Sequence, residues 1–128
     1  DFLTVGAAAP LQEAAVTGLK FVEQYYKDLQ EKYTGKRDLF LKGLDDIGIA
    51  HTVPEGAYYI LLDIGEFGFA SDLEFCEVLA RDVGVGAVPG SSFFKEPVNN
   101  LIRLHFAKKD ETLKAALDRL AEIRNKMK

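Results

Sequence analysis

The sequence is poor in the residues that form disulfides and metal clusters. It contains one cysteine, Cys76, and two histidines, His51 and His105, which lie far apart in the chain. An internal disulfide needs two cysteines, and a zinc cluster needs several cysteine or histidine ligands at short spacing. The sequence therefore predicts no metal site. We expect Cys76 to lie in the apolar core and the two histidines to be structural or solvated.

Several other signatures of function are missing as well. No run of about 18 apolar residues is present, so no membrane span is predicted, and the first residues lack the pattern of a signal peptide. The net charge is −4 with both signs mixed along the chain, which gives no basic surface for nucleic acid or an anionic membrane. No glycine-rich phosphate loop or activated nucleophile is evident. We expect a cytoplasmic protein that binds neither nucleic acid nor membrane.

The pattern of apolar residues predicts a small α+β fold. A length of 128 residues and a hydrophobic fraction of 48% suit a single globular domain, residues 1–128. The predicted order is α-α-β-α-β-β-α, a two-layer sandwich with the helices on one face of a small, mainly antiparallel sheet. The predicted helices are 10–33, a second one that follows a break at Thr34-Gly35 and ends at Gly48, and two that begin at Ser71 and Asp110. The predicted strands are 57–64, 85–88 and 101–107.

Local patterns add detail to this prediction. The nearly continuous apolarity of 57–64 predicts a strand that is buried on both faces. Ser71 and Glu74 have the spacing of a capping box, and Asp110 is expected to cap the final helix. Residues 89–92 read as a turn. The buried stripe of the third helix is predicted as Leu73, Cys76, Leu79, Ala80 and Val83, and that of the last helix as Leu113, Ala116, Leu117, Leu120, Ile123 and Met127.

Arg103 is the most informative polar residue. It lies in an apolar strand, where a period of two places it on the face opposite Ile102 and Leu104. Such an arginine is either solvated on an open sheet face or directed at an anion. The spacing alone favours the first interpretation and leaves the second open. The second has a clear basis, because a guanidinium holds a carboxylate through two parallel hydrogen bonds.

Four stretches of the chain carry a family resemblance. They are residues 1–15, 54–59 (PEGAYY), 84–93 (GVGAVPGSSF) and 102–113 (IRLHFAKKDETL). Together they resemble the C-terminal region of the class I and II pyridoxal-phosphate-dependent aminotransferases, in the family's order and over essentially the whole chain. The first and fourth are most similar to the group that holds kynurenine, glutamine and some aspartate aminotransferases. His105 stands where that group is expected to carry a small residue.

The resemblance implies a role for Arg103 and a place for the chain in a larger enzyme. Arg103 matches the arginine that binds the α-carboxylate of the amino-acid or 2-oxo-acid substrate. The family's Schiff-base lysine and most of its cofactor contacts lie upstream of Asp1, so no catalytic or cofactor-binding residue is expected here. The chain would be the C-terminal small domain, with 1–9 as a linker from the missing large domain and 10–33 as a connecting helix. Its apolar opening without a methionine agrees with that expectation.

The function implied is that of a substrate-clamping domain, inactive alone, of an enzyme that transfers an amino group between an α-amino acid and a 2-oxo acid. Pyridoxal 5'-phosphate would be the cofactor of the intact parent, which the family suggests is a homodimer, and none is expected on this chain. The alternative is a free-standing α+β module that binds a small carboxylate or another protein.

Overall fold

The computed structural model describes residues 6–126, which fall into two units, 6–32 and 33–126. The first five residues of the predicted linker, and Met127 of the predicted final helix, lie outside the described residues. The assignment of 1–128 as one domain of a larger enzyme, with a linker and a connecting helix, stays a prediction. None of the helices within residues 6–126 combines the length and apolarity that a membrane crossing requires.

The first two helices differ in their bounds from the prediction. Helix α1 is Ala9–Gly18, with Pro10 in its first turn as expected, and α2 is Glu23–Ile47. The predicted helix 10–33 is therefore wrong in two respects: the chain leaves the helix after Gly18, and α2 runs through the predicted break at Thr34-Gly35. A glycine inside a helix costs only about 1 kcal/mol relative to alanine. Burial of Phe40 and Leu44 further along α2 outweighs that cost.

The remaining elements follow the predicted order. Helix α2 ends directly before Gly48, the residue predicted to stop it, which has a positive φ of 76°. Within the described residues, three strands and three helices follow. The elements are β1 (Tyr59–Asp63), α3 (Asp72–Val78, continued by a π-turn at Leu79–Val83), β2 (Val88–Pro89), β3 (Leu101–His105), α4 (Asp110–Ala121) and α5 (Ile123–Lys126). The α+β class is confirmed, and the predicted final helix is divided into α4 and α5.

The sheet is antiparallel, in the order β1-β3-β2, and only one of its faces is buried. In the central strand, Ile102 and Leu104 alternate with the partly exposed Arg103. The prediction that the first strand is buried on both faces is wrong for this structure, because Tyr59 and Leu61 lie on the exposed side. We call this side the open face. The buried face joins a core with α2, α3 and α4 that includes Phe40, Leu44, Ile60, Leu62, Phe75, Leu79, Ile102, Leu104, Leu113 and Leu120.

Helix α3 begins as predicted, and three residues of its predicted stripe, Cys76, Leu79 and Val83, are buried. Ser71 is its N-cap, and its hydroxyl accepts a hydrogen bond from the Glu74 amide at 3.2 Å. The Glu74 carboxylate, in turn, accepts from the amide of Ala70 at 3.2 Å rather than from that of Ser71. The predicted stripe is wrong at Leu73, which is 56% exposed, and at the exposed Ala80. Phe75 takes the inward position in their place and is fully buried.

The start of α4 also departs from the prediction. Asp110 is the first residue inside the helix, and the N-cap position belongs to Lys109, without a capping hydrogen bond from its side chain. The Asp110 carboxylate instead lies 3.0 Å from the Lys36 ammonium on α2. An acidic residue in the first turn still suits the positive end of the helix dipole. The prediction of an acidic residue at the start of α4 is therefore correct, but the prediction that Asp110 is its N-cap is wrong.

Candidate functional site

Arg103 lies at the middle of the open face, on the central strand. Its neighbours across the sheet are Leu61 on β1 and Val88 on β2. The guanidinium carbon lies 4.2 Å from the centre of the Tyr59 ring and 3.8 Å from the centre of the Phe93 ring. We call Tyr59, Arg103 and Phe93 the arginine sandwich. The two interactions fix the direction of the side chain, and each is worth about 0.5–1 kcal/mol at an exposed site.

No described residue neutralises the guanidinium of the sandwich. Among the ion pairs formed by residues 6–126, none involves Arg103. Rings that stack on a guanidinium use its faces, whereas its five N–H donors point outward in its plane. The donors therefore remain suited to a planar acceptor that approaches from the edge. A carboxylate is such an acceptor, because its two oxygens match the guanidinium fork.

A tight turn brings Phe93 to Arg103. Gly90 begins the turn Gly90–Phe93 and is buried directly against β3. A Cβ atom at this position would lie 2.5 Å from the backbone oxygen of Leu101, so no larger residue fits unless the chain moves. The turn predicted at 89–92 is thus present, and its glycine is required by the close approach to β3.

The turn is also fixed from the side of α3. The Asp72 carboxylate is 2% exposed and accepts two hydrogen bonds from Ser91, one from the backbone amide at 2.7 Å and one from the hydroxyl at 3.1 Å. Sequence reasoning found Arg103 but missed Tyr59, Phe93 and Asp72. The aromatic residue at the end of the PGSSF segment was a usable signal. Nothing in the capping-box pattern marked Asp72 as buried.

A cluster of aromatic side chains borders the sandwich. The Tyr58 ring lies 4.6 Å from the Tyr59 ring and 6.4 Å from the His105 ring, measured between centroids. The Tyr59 hydroxyl lies 3.5 Å from that of Tyr58, and this hydrogen bond is the main reason that the pKa of Tyr58 is raised. Burial, and then the charges of Lys108 and Arg103, lower the pKa of His105. Both groups are therefore neutral near pH 7, beside a permanently charged arginine.

The lowered pKa of His105 gives a testable prediction. The folded chain resists protonation of His105, while the unfolded chain binds the proton near the ordinary value of 6.5. Stability linked to this group is thus complete above pH 6.5 and is lost as the pH falls below it. We expect the imidazole signals to titrate in NMR spectra with a midpoint below 6.5, and Lys108→Gln to raise that midpoint. A midpoint at or above 6.5 would contradict the prediction.

The other candidate residues that the sequence offered, Cys76 and His51, are not part of the arginine sandwich. Burial raises the pKa of the Cys76 thiol to about 11, which suits a core residue and not a nucleophile. His51 has its Nδ1 atom 2.9 Å from the Ile49 carbonyl oxygen and its Nε2 atom 3.7 Å from Asp45. Within residues 6–126, no group of three or more histidine, cysteine, aspartate or glutamate side chains is arranged to hold a metal ion.

Comparison with known proteins identifies the family. The model for "Aminotransferase class I and II" matches residues 2–120. The chain belongs to this family. It is 36% identical over 124 residues to the methionine aminotransferase of Escherichia coli, a match that covers 96% of this chain and 32% of the relative.

Solved structures of family members share this fold. The N-succinyldiaminopimelate aminotransferase of Mycobacterium tuberculosis superimposes with a TM-score of 0.78 and 33% identity, covering 94% of this chain and 32% of that one. The aspartate aminotransferase of Thermus thermophilus, solved with maleate, gives a TM-score of 0.70 and 32% identity over 78% of this chain and 25% of that one. The chain spans about a third of the length of the curated relatives it matches.

The described residues do not by themselves form a site for pyridoxal phosphate. That cofactor requires a lysine amine able to form a Schiff base. Lys36 is the one described lysine that is partly buried, and its ammonium is held by Asp110 and the carbonyl oxygen of Lys108. Every other described lysine is exposed. A cofactor site of this family would need residues beyond those described here.

Proposed function

We propose that this chain is the C-terminal substrate-binding domain of a pyridoxal-phosphate-dependent aminotransferase, and that Arg103 binds the α-carboxylate of its substrates. The parent enzyme would transfer an amino group between an α-amino acid and a 2-oxo acid. The observation that carries the proposal is the arginine sandwich, in which an unpaired guanidinium is held between two rings on an open sheet face. Family membership supplies the class of reaction.

The geometry of the sandwich suits both substrates of a transamination. An α-amino acid and its 2-oxo acid differ at Cα but carry the same carboxylate beside it. A single arginine can therefore hold either one, and hold Cα in the same place during both half-reactions. Orientation of this kind is a large source of rate enhancement when two reacting groups must meet. The relative solved with maleate, a small dicarboxylate, agrees with recognition of carboxylates in the family.

The rest of the parent would supply the cofactor and cover the exposed apolar surface. Pyridoxal phosphate provides the electron sink on which amino transfer depends. In residues 6–32 several large apolar side chains are exposed, among them Leu11 at 64%, Leu19 at 81% and Val22 at 73%. Patches of this kind mark contact surfaces. We infer that they pack against the remainder of the enzyme, and that the chain alone is inactive.

The proposal is tested with the full-length protein loaded with pyridoxal phosphate. We expect amino transfer from at least one common α-amino acid to a 2-oxo acid, measured by the appearance of the new amino acid. The matching α-carboxamide should be a much poorer donor, because it presents one oxygen and no negative charge to Arg103. Absence of transfer with every common donor would contradict the enzymatic proposal. Equal use of acid and amide would contradict the assignment of Arg103.

A further inference from the structure

Asp72 is the one charged or polar residue among those described that is buried. A buried carboxylate is costly unless its oxygens are paired or hydrogen-bonded. No ion pair within residues 6–126 involves Asp72. Both oxygens instead accept hydrogen bonds from Ser91, at 2.7 Å and 3.1 Å.

The start of α3 does not account for this arrangement. The first turn of α3 already has its N-cap at Ser71, with Glu74 as the second acidic residue of that turn. A buried aspartate is therefore not needed to begin the helix. Both hydrogen bonds that the Asp72 carboxylate accepts come from Ser91, in the Gly90–Phe93 turn.

That turn is fixed at two points before it reaches Arg103. Gly90 is held against Leu101 of β3, where a Cβ atom would lie 2.5 Å from the backbone oxygen. Ser91 is held by Asp72 on α3. Two residues later, Phe93 covers one face of the guanidinium with its ring centre 3.8 Å from the guanidinium carbon. The ring itself is 47% exposed, so packing from other residues constrains it only in part.

We propose that Asp72 is a positioning residue, whose hydrogen bonds to Ser91 hold Phe93 over Arg103 and thereby set the affinity of the site for the substrate carboxylate. Asp72 acts through the turn and does not touch the substrate. The inference rests on the proposed function for its kinetic consequence. Its structural part, the dependence of the Phe93 position on Asp72, does not.

The kinetic test uses the full-length enzyme and the variants Asp72→Ala, Asp72→Asn and Ser91→Ala. We expect Asp72→Ala to raise KM for both substrates by about 2- to 5-fold with little change in kcat, the range for loss of one cation–π contact at an exposed site. Asp72→Asn keeps an oxygen that can accept from the Ser91 amide, so its effect should be smaller. The matched control is Asp63→Ala, which also removes a carboxylate that accepts hydrogen bonds from a turn amide and a side chain. It should leave KM unchanged.

A double variant separates positioning from a general structural effect. If Asp72 acts through Phe93, Asp72→Ala combined with Phe93→Leu has the KM of Phe93→Leu alone, because coupled residues are not additive. Additive effects on KM would overturn the proposal, as would an unchanged KM in Asp72→Ala. If Asp72→Ala does not fold, the same comparison is made with Ser91→Ala, which removes one of the two hydrogen bonds.

A structural measurement keeps the inference distinct from the proposed function. A crystal structure of the full-length Asp72→Asn or Ser91→Ala variant is expected to show Phe93 displaced from the guanidinium, by less in Asp72→Asn. Phe93 still 3.8 Å from Arg103 in both variants would overturn the inference even if the enzyme transfers amino groups. A displaced ring in an enzyme without transaminase activity would leave the positioning role supported and the proposed function rejected.

Discussion

Replacing Arg103 with lysine in the full-length enzyme is expected to lower kcat/KM for α-amino acids by roughly 30- to 4000-fold, equivalent to about 2–5 kcal/mol. The charge remains in this variant, but a compact ammonium cannot form two parallel hydrogen bonds to one carboxylate. It also lacks the planar surface that stacks between Tyr59 and Phe93. Steady-state kinetics with any α-amino acid that the unaltered enzyme accepts as donor measures the effect.

The control for this prediction is the same exchange at an exposed site. Arg81→Lys changes an arginine on the outer side of the π-turn that follows α3, where the side chain is 69% exposed and pairs with Asp82. This variant should retain the parent's kcat/KM, since surface pairs contribute little. With an α-carboxamide donor, Arg103→Lys and the unaltered enzyme should differ far less than with the acid. Unchanged kinetics of Arg103→Lys toward the acid would reject Arg103 as the carboxylate ligand.

The position of Arg103 could be predicted from the sequence because strand periodicity is a local property. Alternation of Ile102, Arg103 and Leu104 decides which side chain leaves the core, and the structure confirms it. The companions of Arg103 depend on contacts distant in sequence. Tyr59 reaches it diagonally across the β1–β3 pairing, and Phe93 reaches it from a turn. No pattern within either segment specifies such contacts.

The prediction that failed for β1 is informative about the parent. Leu61 lies opposite Arg103 on the open face and is partly exposed, although its strand has the continuous apolarity of a doubly buried one. Parallel and other fully covered strands show such runs, because both of their faces are packed. Apart from two charged residues, Arg103 and Asp63, the open face of β1 and β3 has the composition of a covered surface. This composition agrees with the proposal that the rest of the parent enzyme would cover apolar surface that is exposed in this chain.

The inward face of α3 differs from the predicted stripe mainly at Phe75, which the prediction left out. Three members of the predicted stripe are buried as expected, namely Cys76, Leu79 and Val83. Leu73 and Ala80 are exposed, and Phe75 is buried in addition. Phe75 packs its ring 5.3 Å from that of Phe67 and 5.2 Å from that of Phe69, between centroids. A buried phenylalanine removes a large apolar area from water and gains further from contacts of this kind with other rings.

Phe75→Ala is therefore expected to destabilise the chain by about 3–5 kcal/mol, the range for removal of a buried phenylalanine. The cost combines the lost transfer free energy with the cavity left between α3 and the aromatic rings of Phe67 and Phe69. Urea unfolding followed by circular dichroism measures it as a lower midpoint at a constant slope.

Leu73→Ala is the matched control, since it removes an apolar side chain from the same helix at a position that is 56% exposed. Its effect should stay within about 0.5 kcal/mol, as for most surface substitutions. Equal destabilisation by both variants would mean that Leu73 is also packed in the folded protein. The sequence-based stripe would then be correct at Leu73, and the buried face of α3 would be wider than in this structure. Because Asp72 directly precedes Leu73 in the first turn of α3, the pair of variants also tests the orientation of α3 that directs Asp72 toward Ser91.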